Sequence, residues 1–163
     1  MSLLENKKLI YRYLSEISDP EIPVINIVEM GVVRDVLFHG SKLEIKLTPT
    51  YSGCPAMDMI HQLVEEKLHS KGYNSVVVTL VYKPAWTTDW MSDETKEKLA
   101  RYGIAPPVGK VASKKTLLNN EHVSCPQCGS KNTEMKSMFG STACKALFVC
   151  KKCLEPFDYF KCI

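Results

Sequence analysis

The chain has 163 residues, 45% of them hydrophobic and 24% charged, with a formal net charge of +3. That length accommodates one ordinary domain plus a small metal-stapled appendage, and no apolar run approaches the roughly 18 residues needed to cross a bilayer. The start, Met1-Ser2-Leu3-Leu4-Glu5-Asn6-Lys7-Lys8, lacks the apolar stretch and cleavage site of a signal peptide, so a cytoplasmic location is expected.

Leu9, Ile10, Tyr13, Leu14 and Ile17 recur at helical spacing, with Lys7, Lys8, Arg12 and Glu16 on the other face. This first helix is expected to stop near Ser18, because the residue before Pro20 disfavours helical dihedrals. Asp19-Pro20-Glu21-Ile22-Pro23 then stays extended, and Gly31 closes a turn. Val32 to Phe38 is β-branched and reads as a strand, with His39-Gly40-Ser41 as the turn. Leu43, Ile45 and Leu47 alternate with Glu44 and Lys46, as a half-buried strand paired back in a hairpin does. Pro55 to about Ser70 reads as a helix with Met59, Ile60, Leu63, Val64 and Leu68 inward, ended by Gly72. Ser75 to Val81 is a third strand. Ser92-Asp93-Glu94-Thr95 has the form of a capped helix start, running to Tyr102 with Leu99 inward and Gly103 beyond its end.

The expected fold class is α+β: a small α/β sandwich in the order α-β-β-α-β-α, with helices on one face of a mixed or antiparallel sheet, followed by a separate C-terminal four-cysteine zinc ribbon. The expected divisions are residues 1–104 for the sandwich, 105–122 for a linker rich in proline, lysine and asparagine, and 123–163 for the metal module. Short strands are expected there at Thr133–Met138, Ala146–Val149 and Phe157–Phe160.

Seven cysteines in a reducing compartment point to metal or catalysis before disulfides, and an odd number leaves one thiol over in any pairing. Cys125-x2-Cys128, then 21 residues, then Cys150-x2-Cys153 has ligand spacing: two residues between sulfurs let both reach one ion about 2.3 Å away. Four protein ligands leave no position for water or substrate, so the site is structural. Zinc is the expected ion, with iron in a rubredoxin-like site as its rival. A module of this size has too little apolar surface to fold without such a staple. Cys144 and Cys162 read as spare thiols in a small core, as substitute ligands or as partner-facing groups.

Cys54 stands apart, in Thr48-Pro49-Thr50-Tyr51-Ser52-Gly53-Cys54-Pro55. Proline favours the first helical position, which would put Cys54 at the N-cap, where the helix dipole and free amides lower a thiol's pKa. Such a thiol suits transient metal or cluster ligation or nucleophilic chemistry; a small residue buried under the helix is the plainer alternative. A hydrolytic cysteine enzyme would need a base, and the sequence puts none of His39, His61, His69 or His122 in that role. Asp19, Glu21 and Thr50 are candidates to support the Cys54 loop, or in the case of the two carboxylates to be turn and surface residues. Trp86 and Trp90 read as packing residues, with a partner surface as the second reading.

Residues 106–163 carry 9 basic and 4 acidic side chains, against 12 and 14 in residues 1–105. That asymmetry, with Lys151-Lys152 and the aromatics Phe157, Tyr159 and Phe160, raises a nucleic-acid reading. Four thiolates and a divalent ion add −2 to the same segment, which accounts for part of the excess.

Asp19-Pro20-Glu21-Ile22-Pro23, Glu29-Met30-Gly31-Val32-Val33, Thr50 to Pro55 and Pro84-Ala85-Trp86-Thr87-Thr88-Asp89-Trp90-Met91 resemble the small domain of SufT-type iron–sulfur assembly factors, over residues 1 to about 103. With Phe139-Gly140-Ser141-Thr142-Ala143-Cys144-Lys145-Ala146-Leu147 and Glu155 to Cys162, the whole chain is similar to the D-component family of the phenylacetyl-CoA epoxidase (phenylacetate-CoA oxygenase). That enzyme is the multicomponent ring-epoxidising monooxygenase of aerobic phenylacetate degradation. The resemblance implies an accessory subunit whose partners are the other oxygenase subunits or the reductase, with a diiron site and a flavin and iron–sulfur cluster belonging to those partners. It implies help in installing metal or a transient iron–sulfur cluster there, with Cys54 as the matching cysteine. The chain itself lacks the pair of Glu-x-x-His motifs of a diiron site, a dinucleotide glycine fingerprint and a phosphate loop. A purely structural scaffold role is the second reading and a nucleic-acid-binding ribbon the third.

Overall fold

The computed structural model describes residues 3–108 and 123–161. The chain divides into two compact units, Met1–Trp86 and Thr87–Ile163, and no described helix is long and apolar enough to cross a membrane.

The first unit begins with α1 (Leu3–Leu14), which buries Ile10 and Leu14. It ends a turn before the expected stop near Ser18. Ser15 Oγ donates to Arg12 O at 2.8 Å, and the chain turns so that Ser18 can bridge Asn26. Strands β1 (Val33–His39) and β2 (Lys42–Leu47) form the expected antiparallel hairpin, and β3 (Val76–Leu80) pairs parallel to β2, giving a mixed sheet of order β1-β2-β3. The parallel pairing follows from the crossover through α2 (Ala56–Ser70). Alternation holds in β2, where Leu43, Ile45 and Leu47 are buried.

The inward stripe of α2 is Ala56, Met57, Ile60, Val64 and Leu68. Met59, expected inward, is 55% exposed. Ile60, Val64 and Leu68 fix the face at spacings of four, and Met59 lies one residue, about 100° of helix, away from it. Trp86 is buried and donates its indole N–H to Met30 O at 2.9 Å, which is the packing reading of that tryptophan.

In the second unit, α3 (Asp93–Tyr102) has Ser92 as its cap, accepting from Thr95 N at 3.1 Å, and ends on Gly103 with φ 99°. It leads directly into β4 (Ile104–Ala105), which pairs parallel to β7 (Pro156–Phe160). β5 (Thr133–Ser137) and β6 (Lys145–Cys150) complete an antiparallel ribbon, so the sheet order is β4-β7-β6-β5. On sequence alone, α3 belongs with the sandwich and a linker starts at 105. In the structure residues 104–108 instead edge the ribbon, with Pro107 buried and Val108 N donating to Tyr159 Oη at 3.3 Å. A two-residue strand has no periodicity to read, and Pro106-Pro107 imitates a linker. The rest of the expected linker, residues 109–122, lies outside the described residues, as do His122 and Cys162.

Phe157 and Tyr159 fill the ribbon's core beside Ala105, Val123 and Ala146, with Phe148 stacked on Phe157 at 5.9 Å between ring centres. At the end of the ribbon away from the cysteines, Asp158 accepts from Ser141 N at 3.2 Å and Ser141 Oγ at 2.6 Å. Gly140 lies so close to that carboxylate that a Cβ there would collide with it.

Candidate metal centre and the Cys54 loop

Each cysteine pair of the ribbon sits on a turn of the same construction. Cys125 N donates to Ser130 O and Gly129 N to Cys125 O, both at 2.9 Å; Cys150 N donates to Glu155 O at 3.0 Å and Leu154 N to Cys150 O at 2.9 Å. Gly129 and Leu154 occupy equivalent places with φ of 70° and 67°. The two turns bring the four expected sulfurs together, all within 4.8 Å of one another. Cys125 and Cys153 are 3.7 Å apart, and Cys128 and Cys150 3.6 Å. A tetrahedron with metal–sulfur bonds of about 2.3 Å has edges of about 3.8 Å, so the spacing fits one tetrahedral ion.

The electrostatics agree with a cation-binding group. The Cys153 and Lys152 amides donate to Cys150 Sγ at 3.5 and 3.4 Å. The Cys153 amide first, then the Lys152 amide and the neighbouring Cys128 and Cys153 sulfurs, lower the Cys150 thiol to about 6 against the opposing effect of burial. At Cys153 the Glu155 amide lowers the pKa, but burial and the three neighbouring sulfurs prevail and push it up to about 12. Four sulfurs this close cannot all ionise unless a cation joins them. Cys144 is buried beside Thr142 Oγ1, 3.0 Å from its sulfur, and is not one of the four.

The second site is the loop before α2. Pro55, with φ −68° and ψ −21°, takes the cap position, so Cys54 stands one residue further out than expected. Cys54 O accepts from Met57 N at 3.2 Å, which already curls this residue into the turn leading to the helix. Gly53 is required by its φ of 78° rather than by close approach, since nothing lies within 4 Å of where its Cβ would be.

The thiol is raised above its ordinary pKa, not lowered. Burial is the largest cause and the nearby Glu21 carboxylate adds to it, while hydrogen bonds from the Ala56 amide, Tyr51 and Thr50 only partly offset them. The expected low-pKa thiol is therefore corrected: one helix end does not outweigh half-burial beside a carboxylate. Of the expected residues, Thr50 hydrogen-bonds the Cys54 sulfur, whereas Glu21 acts on it through its charge. Tyr51 also bonds the sulfur, a role signalled in the sequence only by its place three residues before Cys54.

Asp19 has a different task. Buried in its turn, its carboxylate accepts from Glu21 N at 2.8 Å and Ile22 N at 2.9 Å, so it shapes the segment that presents Glu21. Asn26 and Glu29 cap their turn reciprocally: Asn26 Oδ1 accepts from Val28 N and Glu29 N, and Glu29 Oε2 from Asn26 N. The single Glu-x-x-His sequence, Glu66 to His69, lies with both residues exposed on α2.

Two family profiles match the chain: "Iron-sulfur cluster assembly protein" over residues 7–80 and "PaaD zinc beta ribbon domain" over residues 109–161. A protein of Escherichia coli (strain K12), provisionally named as the D component of 1,2-phenylacetyl-CoA epoxidase, is 50% identical over 154 residues, covering 94% of this chain and 92% of that one. A protein of Porphyromonas gingivalis named Fe-S protein maturation auxiliary factor is 35% identical over 98 residues, 59% of this chain and 92% of its own. Among solved structures, the domain of unknown function DUF59 from Bacillus anthracis matches with a TM-score of 0.54 at 29% identity, over 59% of this chain and 92% of that chain.

Proposed function

The chain belongs to the family of the D component of 1,2-phenylacetyl-CoA epoxidase, and from that membership we propose that it is an accessory subunit assisting metal or iron–sulfur cluster maturation in the other subunits of that complex or its reductase. The observation that carries this reading is the joining, in one chain, of an iron–sulfur-assembly domain to a ribbon, together with a relative named as part of an epoxidase. On this reading the protein works in the cytoplasm, without a membrane. The metal or cluster is cargo, and Cys54 is the residue that touches it.

The chemistry suits brief holding. A thiol raised in pKa stays protonated and unreactive until a metal displaces its proton, and Glu21 beside it favours the approach of a cation. Thr50 and Tyr51 orient the sulfur. Cys125, Cys128, Cys150 and Cys153 hold a zinc ion that folds the ribbon; with four protein ligands it has no open position and takes no part in chemistry.

The test is metal and sulfide analysis of the partner oxygenase and reductase, produced with the wild type, with Cys54→Ser and without this chain. The reading expects underloaded partners in the last two cases at equal amounts of this protein in the first two. Full loading with Cys54→Ser would move the function to the second reading, a scaffold. The nucleic-acid reading loses its aromatic surface, because Phe157, Tyr159 and Phe160 are buried.

A further inference from the structure

Two independent anomalies coincide at Leu154. It is the most exposed large hydrophobic side chain among the described residues, at 75%. It is also the one described residue other than glycine with a positive φ, 67°. Each runs against stability, since a γ-branched side chain is strained in left-handed backbone and apolar surface is better removed from water.

The ribbon contains its own control. At the equivalent place in the first turn stands Gly129, with φ 70° and the same hydrogen bond to the first cysteine's carbonyl. Geometry therefore calls for glycine at 154, and solvent for glycine or a polar residue. Leu154 cannot be excused as core, since Phe148, Phe157, Tyr159 and Val123 already form the ribbon's cluster. Nor does metal binding need its side chain, because only its amide joins the turn. A residue unsuited both to its backbone and to water marks a place where use by something outside the chain outweighs local stability.

We infer that Leu154 is the anchor of a protein-docking knuckle, a single apolar knob held rigidly on the metal-stapled turn for insertion into an apolar pocket of another protein of the complex. This rests on the reading of the chain as part of a larger assembly. The turn is braced by its two backbone bonds and the sulfur cluster, so little freedom is lost on docking. Beside the knob, Lys151 pairs with Glu134 at 3.2 Å, whereas Lys152 is exposed with no ion pair among the described residues. Glu155 on the other side is exposed too. The complementary surface is thus an apolar pocket with a carboxylate on the Lys152 side and a cation or N–H donor on the Glu155 side. An aliphatic knob cannot stack on bases, which places protein ahead of nucleic acid as the occupant.

The experiment uses the full-length, zinc-loaded chain and the co-expressed epoxidase subunits, with affinity, melting temperature and zinc content measured for wild type, Leu154→Gly and Leu154→Asn. Both substitutions tolerate the backbone and remove the apolar knob, and asparagine keeps much of the bulk. The expected result is a loss of affinity of at least about tenfold in both, as for an interface anchor, with zinc content unchanged and a melting temperature equal or higher. Wild-type affinity retained in the variants would overturn the docking inference and leave the family reading standing. A lower melting temperature or lost zinc would make Leu154 structural and overturn it as well. Failure of the wild type itself to bind any of the epoxidase subunits would overturn both. Salt-dependent binding of a single-stranded oligonucleotide, lost in Lys152→Glu and kept in Leu154→Gly, would assign the knuckle to nucleic acid instead.

Discussion

Removing the metal with a strong zinc chelator should unfold residues 87–163 and leave residues 1–86 folded. Among the described residues the ribbon's buried cluster has seven members, two of which are the ligands Cys125 and Cys150 and two alanines. With Met91, Leu99, Ile104 and Phe160 as the further buried large apolar side chains described in this unit, the burial left to oppose chain entropy once the metal is gone is small. Structural zinc supplies an apparent 10–16 kcal/mol, about as much as the whole net stability of a typical domain, roughly 5–15 kcal/mol. The structure sets the size of the optical change. Among the described residues α3 holds 10 helical residues beside 12 in α1 and 15 in α2, so its loss with the ribbon removes roughly a quarter of the α-helical ellipticity that they contribute. Trp86 belongs to the first unit and Trp90 to the second. In a Trp90→Phe variant the remaining emission should stay that of a buried indole throughout the chelator titration. A red shift of Trp86 emission would refute the independence of the two units. Unchanged ellipticity after verified metal loss would refute the metal as the source of the ribbon's fold.

Cys54, raised above its ordinary pKa by burial and Glu21, should alkylate more slowly than a free thiol at neutral pH. Its rate should climb as pH rises through that raised value, because only the thiolate reacts. Glu21→Gln removes one of the two raising causes and should speed the reaction; a slower variant would refute the electrostatic account. In urea denaturation, Ile60→Ala should cost about 2–5 kcal/mol, and Met59→Ala should stay within about 0.5 kcal/mol. Comparable losses would mean the inward face of α2 has been misassigned. Gly140→Ala should drive the loop off the Asp158 carboxylate and destabilise the ribbon by about 1–3 kcal/mol, measured as earlier unfolding in a chelator titration. A Ser141→Ala variant should be milder, since it removes a hydrogen bond without a collision.

Much of this was legible in the chain because the signals are local. Alternation from Leu43 to Leu47, the Ser92 cap, Gly103 beyond α3 and the four-cysteine spacing each depend on residues close in sequence. Hydrogen bonding and pleat geometry act at that same range. What the sequence left open turns on distant groups. Cys54 has the local form of an activated thiol, and its raised pKa comes from burial and from Glu21, 33 residues earlier. Ile104 and Ala105 have no strand signature and become one only because β7, some fifty residues on, offers its edge. Leu154 looks ordinary in Cys153-Leu154-Glu155, and only its dihedral and its exposure mark it. Spacing along the chain decided which sulfurs meet; solvent, charge and sheet edges, which exist only in three dimensions, decided what the remaining residues can do.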